Sequence, residues 1–299
     1  MTDHVLTLLA RRKGALDPAF IDRLAQTLDR LGAGLGTADW LAPGLAVDLP
    51  FADLNADQAE AAARRSIGRR KIDVIAQPSG LRRKRILVAD MESTLIVNEM
   101  LDELADLVGK RTEIAGITAR AMNGELDFEG ALDARVALIA GLSVADLERV
   151  ATRIEIMPGA RALIATMRGA GAGTYLVSGG FRFFTRMIAE RLGIEREAGN
   201  DLEIENGRLT GRVLRPILGR AAKREALLAA AAERLQPIEA TLAVGDGAND
   251  LDMILAAGLG IAFRAKPMVA ARARWRIDHG DLTALLYAQG YRRDEFRVS

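Results

Sequence analysis

The sequence predicts an α/β protein, a parallel sheet covered by helices on both faces, preceded by a small ferredoxin-like α+β domain. Three observations carry this. Apolar strand-like runs at 85–90, 174–180, 240–246 and 259–263 each precede or follow helical stretches, and buried runs spaced by helices indicate a parallel sheet. Ahead of them, residues 5–77 follow a β-α-β-α-β order with room for a further strand in the middle, the plan of a ferredoxin-like sandwich. The chain has 299 residues, 49% hydrophobic and 27% charged, which describes a globular protein of one large domain or two ordinary ones.

The first domain, residues 1–80, opens on the strand VLTLLA (5–10). Asp17 is placed to cap a helix over Pro18–Leu31, with Phe20, Leu24 and Leu28 on one face. A strand surrounds Gly44–Leu49, an alanine-rich helix covers Ala56–Ile67, and KIDVIAQ (71–77) closes the unit. Pro78 to Arg85, with the basic run Arg82-Arg83-Lys84-Arg85, reads as a linker bearing solvated charge.

The second domain, residues 81–299, begins with the buried strand RILVAD (85–90). Helical sequence follows from Asn98 to about Ile154, with capping residues at Asp127 and Ser143. TYLVSGG (174–180), ATLAVGD (240–246) and LGIAF (259–263) supply further strands. Within 201–213, Asn206-Gly207 sits between two alternating segments and predicts a hairpin decorating the sheet edge.

Composition narrows the function classes. A net charge of +1 gives no field for nucleic acid, and cysteine is absent, which excludes disulfides and thiolate metal sites. No apolar run reaches the length of a membrane span and the start lacks a signal-peptide pattern, so the cytoplasm is the expected location. The two histidines, His4 and His279, lie outside every motif, which argues against metal–histidine or Ser-His chemistry.

In parallel sheets ligands bind at the carboxyl ends of the strands, and Asp90, Ser178 and Asp246 all fall there. Asp90 is a candidate nucleophile, since a carboxylate of ordinary pKa near ~4 is ionised at neutral pH and needs no base. Glu92, two residues on, can protonate a leaving group and later take a proton from water. Ser178-Gly179-Gly180 offers a hydroxyl and bare N–H groups to a phosphate. Lys223, opening a helix, can neutralise a transferring phosphoryl group. Asp246-Gly247-Ala248-Asn249-Asp250 adds hard oxygen ligands suited to Mg²⁺. Each motif has a bland counterpart: capped turns for the acids, a tight turn for the glycines, a solvated helix face for the lysine. Their occurrence in one chain order, each at an element terminus, favours the joint reading.

Taken together, DMEST at a strand end, SGG, a lysine and GDGAND resemble the haloacid dehalogenase (HAD) superfamily of phosphotransferases, and within it the branch that hydrolyses O-phospho-L-serine. The likeness runs from about Arg83 to Arg292. It implies a Rossmann-like core with a small helical cap at about 98–155, and Asp90 as nucleophile. It also implies Mg²⁺ held by Asp90, Asp246, Asp250 and the main-chain carbonyl of Glu92, with phosphate contacts from Ser178, Gly179, Asn249 and Lys223. By the same resemblance Glu99 meets the substrate ammonium, Arg135 its carboxylate, and Met122 and Phe128 shield the closed site. Residues 1–80 resemble an ACT-like regulatory domain in pattern, which implies an amino-acid ligand there. Exposed sheet edges also admit a homodimer. One position departs: the family pattern is D-x-D-S-T, and this chain has glutamate at 92. Two alternatives stay open on the sequence, a phosphotransferase or phosphatase of the same superfamily acting on another small phosphomonoester, and a catalytically degenerate amino-acid sensor.

Overall fold

The first strand, β1 (His4–Ala10), is buried on both faces along nearly its whole length. Leu6 and Leu8 point into the N-terminal unit's own core, whereas Leu9 joins the core of the remainder of the chain. The structure, a computed structural model, describes residues 2–122 and 125–298. Helix α1 (Pro18–Asp29) starts at the Asp17 cap, whose carboxylate accepts the Phe20 N–H at 2.8 Å. The strand expected around Gly44–Leu49 forms as β4 (Ala46–Ala52), and the room left for a further strand is taken by two short ones, β2 (Gly34–Leu35) and β3 (Asp39–Ala42), both paired with β4. Helix α2 (Ala56–Ile67) and β5 (Ile72–Pro78) complete the unit. Its antiparallel order, β2/β3-β4-β1-β5, is that of a ferredoxin-like sandwich.

The second unit has a six-stranded, wholly parallel sheet. In chain order its elements begin with β6 (Ile86–Ala89), followed by α3 (Met100–Leu107), α4 (Arg111–Met122), α5 (Phe128–Ala137) and α6 (Val144–Ala151). Next come α7 (Ala160–Gly169), β7 (Gly173–Phe181), α8 (Arg182–Leu192), β8 (Arg196–Asn200), β9 (Leu202–Glu205) and β10 (Arg208–Val213). The chain continues through α9 (Arg220–Glu233), β11 (Thr241–Gly245), α10 (Leu251–Ala256), β12 (Leu259–Phe263), α11 (Pro267–Ala270), β13 (Trp275–Ile277) and α12 (Ala284–Ala288). The sheet runs β13-β12-β11-β6-β7-β8. The chain leaves β6 toward β7 on one side and returns as β11 on the other, so the crevice of a topological switch opens at the end of β6.

The predicted caps form. Asp127 accepts the Gly130 N–H at 2.7 Å at the start of α5, and Ser143 makes a reciprocal capping box with Asp146 at α6. The helical insert, α3 to α6, leaves the core through two adjacent crossings. Val97 N–H donates to Glu155 O at 2.9 Å and Met157 N–H to Leu95 O at 2.9 Å. The hairpin turns at Asn206 and Gly207, both with positive φ, as a tight two-residue connection requires. It does not decorate the sheet edge as expected. It docks on the insert instead, where Gly141 N–H donates to Leu209 O, Leu209 N–H to Leu142 O and Val144 N–H to Gly207 O. The edge is β8, a strand whose sequence REAGN has no apolar run to announce it.

The basic run 82–85 is not a solvated tether. Arg82 makes a bidentate pair with buried Asp48, Nη1–Oδ2 2.5 Å and Nη2–Oδ1 2.8 Å, and also reaches Thr7 Oγ1 and the carbonyls of Tyr287 and Ala288. Trp275 Nε1 donates to Ala76 O at 2.9 Å, and Asp73 accepts N–H groups from Asp278, His279 and Gly280. The two units therefore meet through a packed, hydrogen-bonded face.

Lys84 is 5% exposed and its ammonium's one acceptor among the described residues is the Glu239 carbonyl at 2.7 Å. Burial pulls its pKa from the ordinary 10.5 down to about 8. Folding thus costs free energy while the ammonium is retained, and that cost disappears as pH rises from 8 toward 10.5. The wild type should accordingly gain stability relative to Lys84→Met over this window, by up to about 3 kcal/mol. Urea denaturation at pH 7, 8 and 10 checks it; a pH-independent difference refutes it.

Candidate active site

Four strand and helix termini meet above β6. Asp90 follows β6 and is fixed by its N–H donating to Val244 O on β11 at 3.0 Å. Lys223 rises from α9 with no exposed surface, and its Nζ lies 2.6 Å from Asp90 Oδ1 and 2.6 Å from Asp250 Oδ1. The ammonium thus bridges the two carboxylates, with its better-directed hydrogen bond to Asp250. Burial disfavours the ammonium, but the two facing carboxylates outweigh it and hold the lysine above its ordinary pKa. Lys223→Met should therefore leave two buried carboxylates uncompensated and cost about 3–5 kcal/mol in urea denaturation; a loss below about 1 kcal/mol would contradict this account.

Asp250 is the brace of the loop after β11. Its Oδ2 accepts the N–H groups of Asp246 and Gly247, at 3.1 and 2.9 Å, while Oδ1 takes Lys223. Both oxygens are thus committed, which suits Asp250 to positioning more than to open coordination. Asp246 has no such partners among the described residues; the Lys266 ammonium stands 4.0 Å from its Oδ2 at the rim. One oxygen from each of Asp90, Asp246 and Asp250 falls within 4.8 Å of the others. Burial, then the charges of Asp90 and Asp250, push Asp246 up to about 7, and burial with Asp90 pushes Asp250 to about 6. An all-oxygen donor set and excess negative charge fit a hard divalent cation.

Glu92 bends back from the loop so that Oε1 accepts the Met100 N–H at 2.7 Å, at the first turn of α3. Its other oxygen faces Gly180, where a Cβ would come within 3.0 Å of Oε2. Burial, the Glu99 charge and Asp90 raise Glu92 to about 8, against the opposing Met100 N–H. It would be protonated at neutral pH, the state a proton donor needs.

The phosphate-cradle motif lies against the same space. Ser178 is buried at the end of β7 with its Oγ accepting the Gly180 N–H at 3.0 Å. Gly179 is approached by Phe128 from the insert and by Asn249 from the loop after β11; an added Cβ would stand 3.3 Å and 3.6 Å from them. The insert therefore covers the crevice, with Phe128 at its lip. Glu99 accepts the Ser93 hydroxyl at 2.7 Å and is raised in pKa mainly by burial, although part of its side chain meets solvent. Arg135 spends only Nε, on the Ala131 carbonyl of its own helix, and makes no ion pair among the described residues while Glu92, Asp102 and Glu99 act on it at longer range. Of the sequence candidates, Met122 alone cannot be placed, because its side chain lies outside the described residues.

Two residues escaped sequence reasoning. Lys266 follows β12, so extending the strand-end rule by one strand would have found it. Asn200 staples the cradle, donating to Gly179 O and accepting the Leu218 N–H.

The fold and this cluster define a hydrolase class, and comparison with known proteins agrees. Residues 87–255 match the family model described as haloacid dehalogenase-like hydrolase. The chain belongs to that family. A phosphoserine phosphatase of Streptomyces coelicolor is 44% identical over 230 residues, covering 76% of this chain and 56% of that protein. One of Idiomarina loihiensis is 42% identical over 201 residues, covering 67% of this chain and 91% of that protein. The chain spans little more than half the length of the Streptomyces relative. Among solved structures, a HAD-family hydrolase of Salmonella enterica serovar Typhi superposes with a TM-score of 0.85 at 28% identity, covering 96% of this chain and 98% of that one. Its likeness thus takes in the N-terminal unit as well.

Proposed function

We propose that this chain is a Mg²⁺-dependent phosphatase that hydrolyses O-phospho-L-serine to L-serine and phosphate through an aspartyl phosphate on Asp90. The observation that carries the reading is the wholly buried Lys223, held between Asp90 and Asp250 beside the Ser178–Gly180 cradle. A structural protein gains little from an ion cluster sealed under a crevice, since such clusters are expensive to desolvate. In the first half-reaction an Asp90 oxygen attacks phosphorus, and the protonated Glu92 gives its proton to the departing seryl oxygen. In the second, Glu92, now ionised, takes a proton from the water that attacks the phosphoryl group and releases Asp90. Ser178, the Gly179 and Gly180 backbone, Asn249 and Lys223 receive the phosphate oxygens, and Lys223 offsets the charge that builds there. Asp90, Asp246 and the Glu92 carbonyl, with Asp250 behind them, are the groups to hold Mg²⁺, which would supply charge neutralisation at the phosphoryl group.

For the substrate, Glu99 answers the ammonium and the unpaired fork of Arg135 the carboxylate. Phe128, and Met122 by the family likeness, would close over it. We assign residues 1–80 to an ACT-like regulatory domain, 81–299 to the catalytic domain and about 98–155 to its cap, in a cytoplasmic protein. No helix among the described residues is long and apolar enough to cross a membrane. An amino-acid ligand of the first domain and a homodimer belong to the same reading.

Phosphate release from O-phospho-L-serine, with Mg²⁺ and with the metal chelated, tests the proposal against a panel of other phosphomonoesters. Metal-dependent release selective for phosphoserine is expected. Turnover of another ester in preference, or none, would remove the substrate assignment.

A further inference from the structure

A second cavity, of about 400 Å³, opens between the two units, far in sequence from the catalytic motifs. Its size is that of a small-molecule site. Arg11 and Lys13 reach it from the turn after β1, and Arg293 from the C-terminal segment. None of the three forms an ion pair among the described residues, whereas Arg82, Arg83 and Arg292 nearby all do. A single acid, Asp281, lines the same space, with one oxygen already engaged by the Thr283 N–H and hydroxyl. Tyr287 also lines it, 2% exposed, with its hydroxyl buried beside Arg293. The remaining wall is apolar, from β1, the β3–β4 turn and α12.

We propose that this cavity binds a small organic anion, whose carboxylate or phosphate is received by Arg11, Lys13 and Arg293. Three unpaired cations against one half-occupied acid select an oxyanion, and the apolar wall takes a short carbon body. The site is continuous with the base of the helical insert. Leu282 N–H donates to Pro158 O at 3.1 Å, and Gly159 is packed so closely that a Cβ would stand 2.6 Å from Thr283 N. Arg264 ties Gly280 O at 2.8 Å and contacts Met157 Sδ at 3.8 Å, and the Met157 N–H is itself paired with Leu95 O just beyond the catalytic loop. A ligand that draws the 280–284 loop toward Arg11 therefore pulls on the crossing through which the insert joins the core. Occupancy should alter how readily the insert opens and closes.

Succinate and inorganic phosphate serve as probes, titrated calorimetrically into the full chain and into Arg11→Glu/Arg293→Glu. Both substituted side chains are exposed and unpaired, so the variant should fold and keep its activity in the absence of probe. Lys13→Met provides a milder second variant. Saturable binding of either probe, weakened at least about 10-fold by charge reversal and by a smaller factor in Lys13→Met, is expected. The probe that binds identifies the anion as carboxylate or phosphate. Phosphate held at the catalytic site would survive charge reversal, so binding unchanged in the variant overturns the proposal, as does no saturable binding of either probe. Succinate should also shift kcat/KM about 5-fold or more in the wild type and not in the variant; binding with no shift would overturn the link to the insert. The titration needs no turnover, so it stands or falls separately from the substrate assignment.

Discussion

Asp90→Asn is expected to abolish phosphate release, by a factor on the order of 10⁴–10⁶, while the protein stays folded. An amide of the same shape keeps the hydrogen bonds of the surrounding loop, because Asp90 is held there by its main-chain N–H. What it loses is the electron pair that attacks phosphorus. The electrostatics sharpen the expectation. Asp90 is among the charges that raise Glu92, Asp246 and Asp250, so removing its charge relieves repulsion even as Lys223 loses one of two partners. Thermal melting in the presence of chelator should therefore show little or no destabilisation, in contrast to Lys223→Met. A variant that melts far below the wild type would mean that the ion cluster holds the fold, and that the activity loss says nothing about a nucleophile. Retained turnover would exclude Asp90 from the chemistry outright.

The sequence made the core legible where a physical signal is local. The apolar runs of β6, β7 and β11 lead to the candidate residues Asp90, Ser178 and Asp246, because a strand buried on both faces must be continuous and its polar residues fall at the exit. Asp17, Asp127 and Ser143 announced their helices because the cap is a side-chain hydrogen bond within the same few residues. Signals that depend on distant partners were lost. Arg82 looks like a linker charge until Asp48, Thr7 and the carbonyls of Tyr287 and Ala288 are brought around it. The hairpin's fate depended on the insert it docks on, and β8 is recruited by its neighbour β7 with no pattern of its own. One clue was present and passed over. VLTLLA is apolar on both faces, and a ferredoxin-like sheet with one face in water would alternate; its second face is covered by the catalytic unit.

The glutamate at 92 leads to the sharpest test of the site. Read from sequence, it is an aspartate made too long, and a misplacement of about 1 Å can cost ~10²-fold. The structure shows a use for the extra methylene. Oε1 reaches the Met100 N–H at the start of the insert's first helix, while Oε2 faces Gly180 in the cradle. A shorter side chain on the same backbone would have to give up one of these. Glu92→Asp is therefore expected to lower kcat, by about 10²-fold if the backbone does not adjust, and not to improve the enzyme. Glu92→Gln keeps the length and can still accept from Met100, but it can neither give a proton nor take one. Its kcat should fall by about 10²–10⁴-fold. A substrate with a good leaving group, such as p-nitrophenyl phosphate, needs no acid in the first half-reaction but still needs a base in the second. In Glu92→Gln it should therefore produce a burst of nitrophenol followed by slow turnover, with phosphate retained on acid-quenched protein. A faster Glu92→Asp would mean that the glutamate is a defect and that its tie to Met100 is incidental. A Glu92→Gln variant with undiminished turnover would move the proton transfer to another group. Either result would leave Asp90 in place and require a new account of why an acid with its pKa near 8 sits between the cradle and the insert.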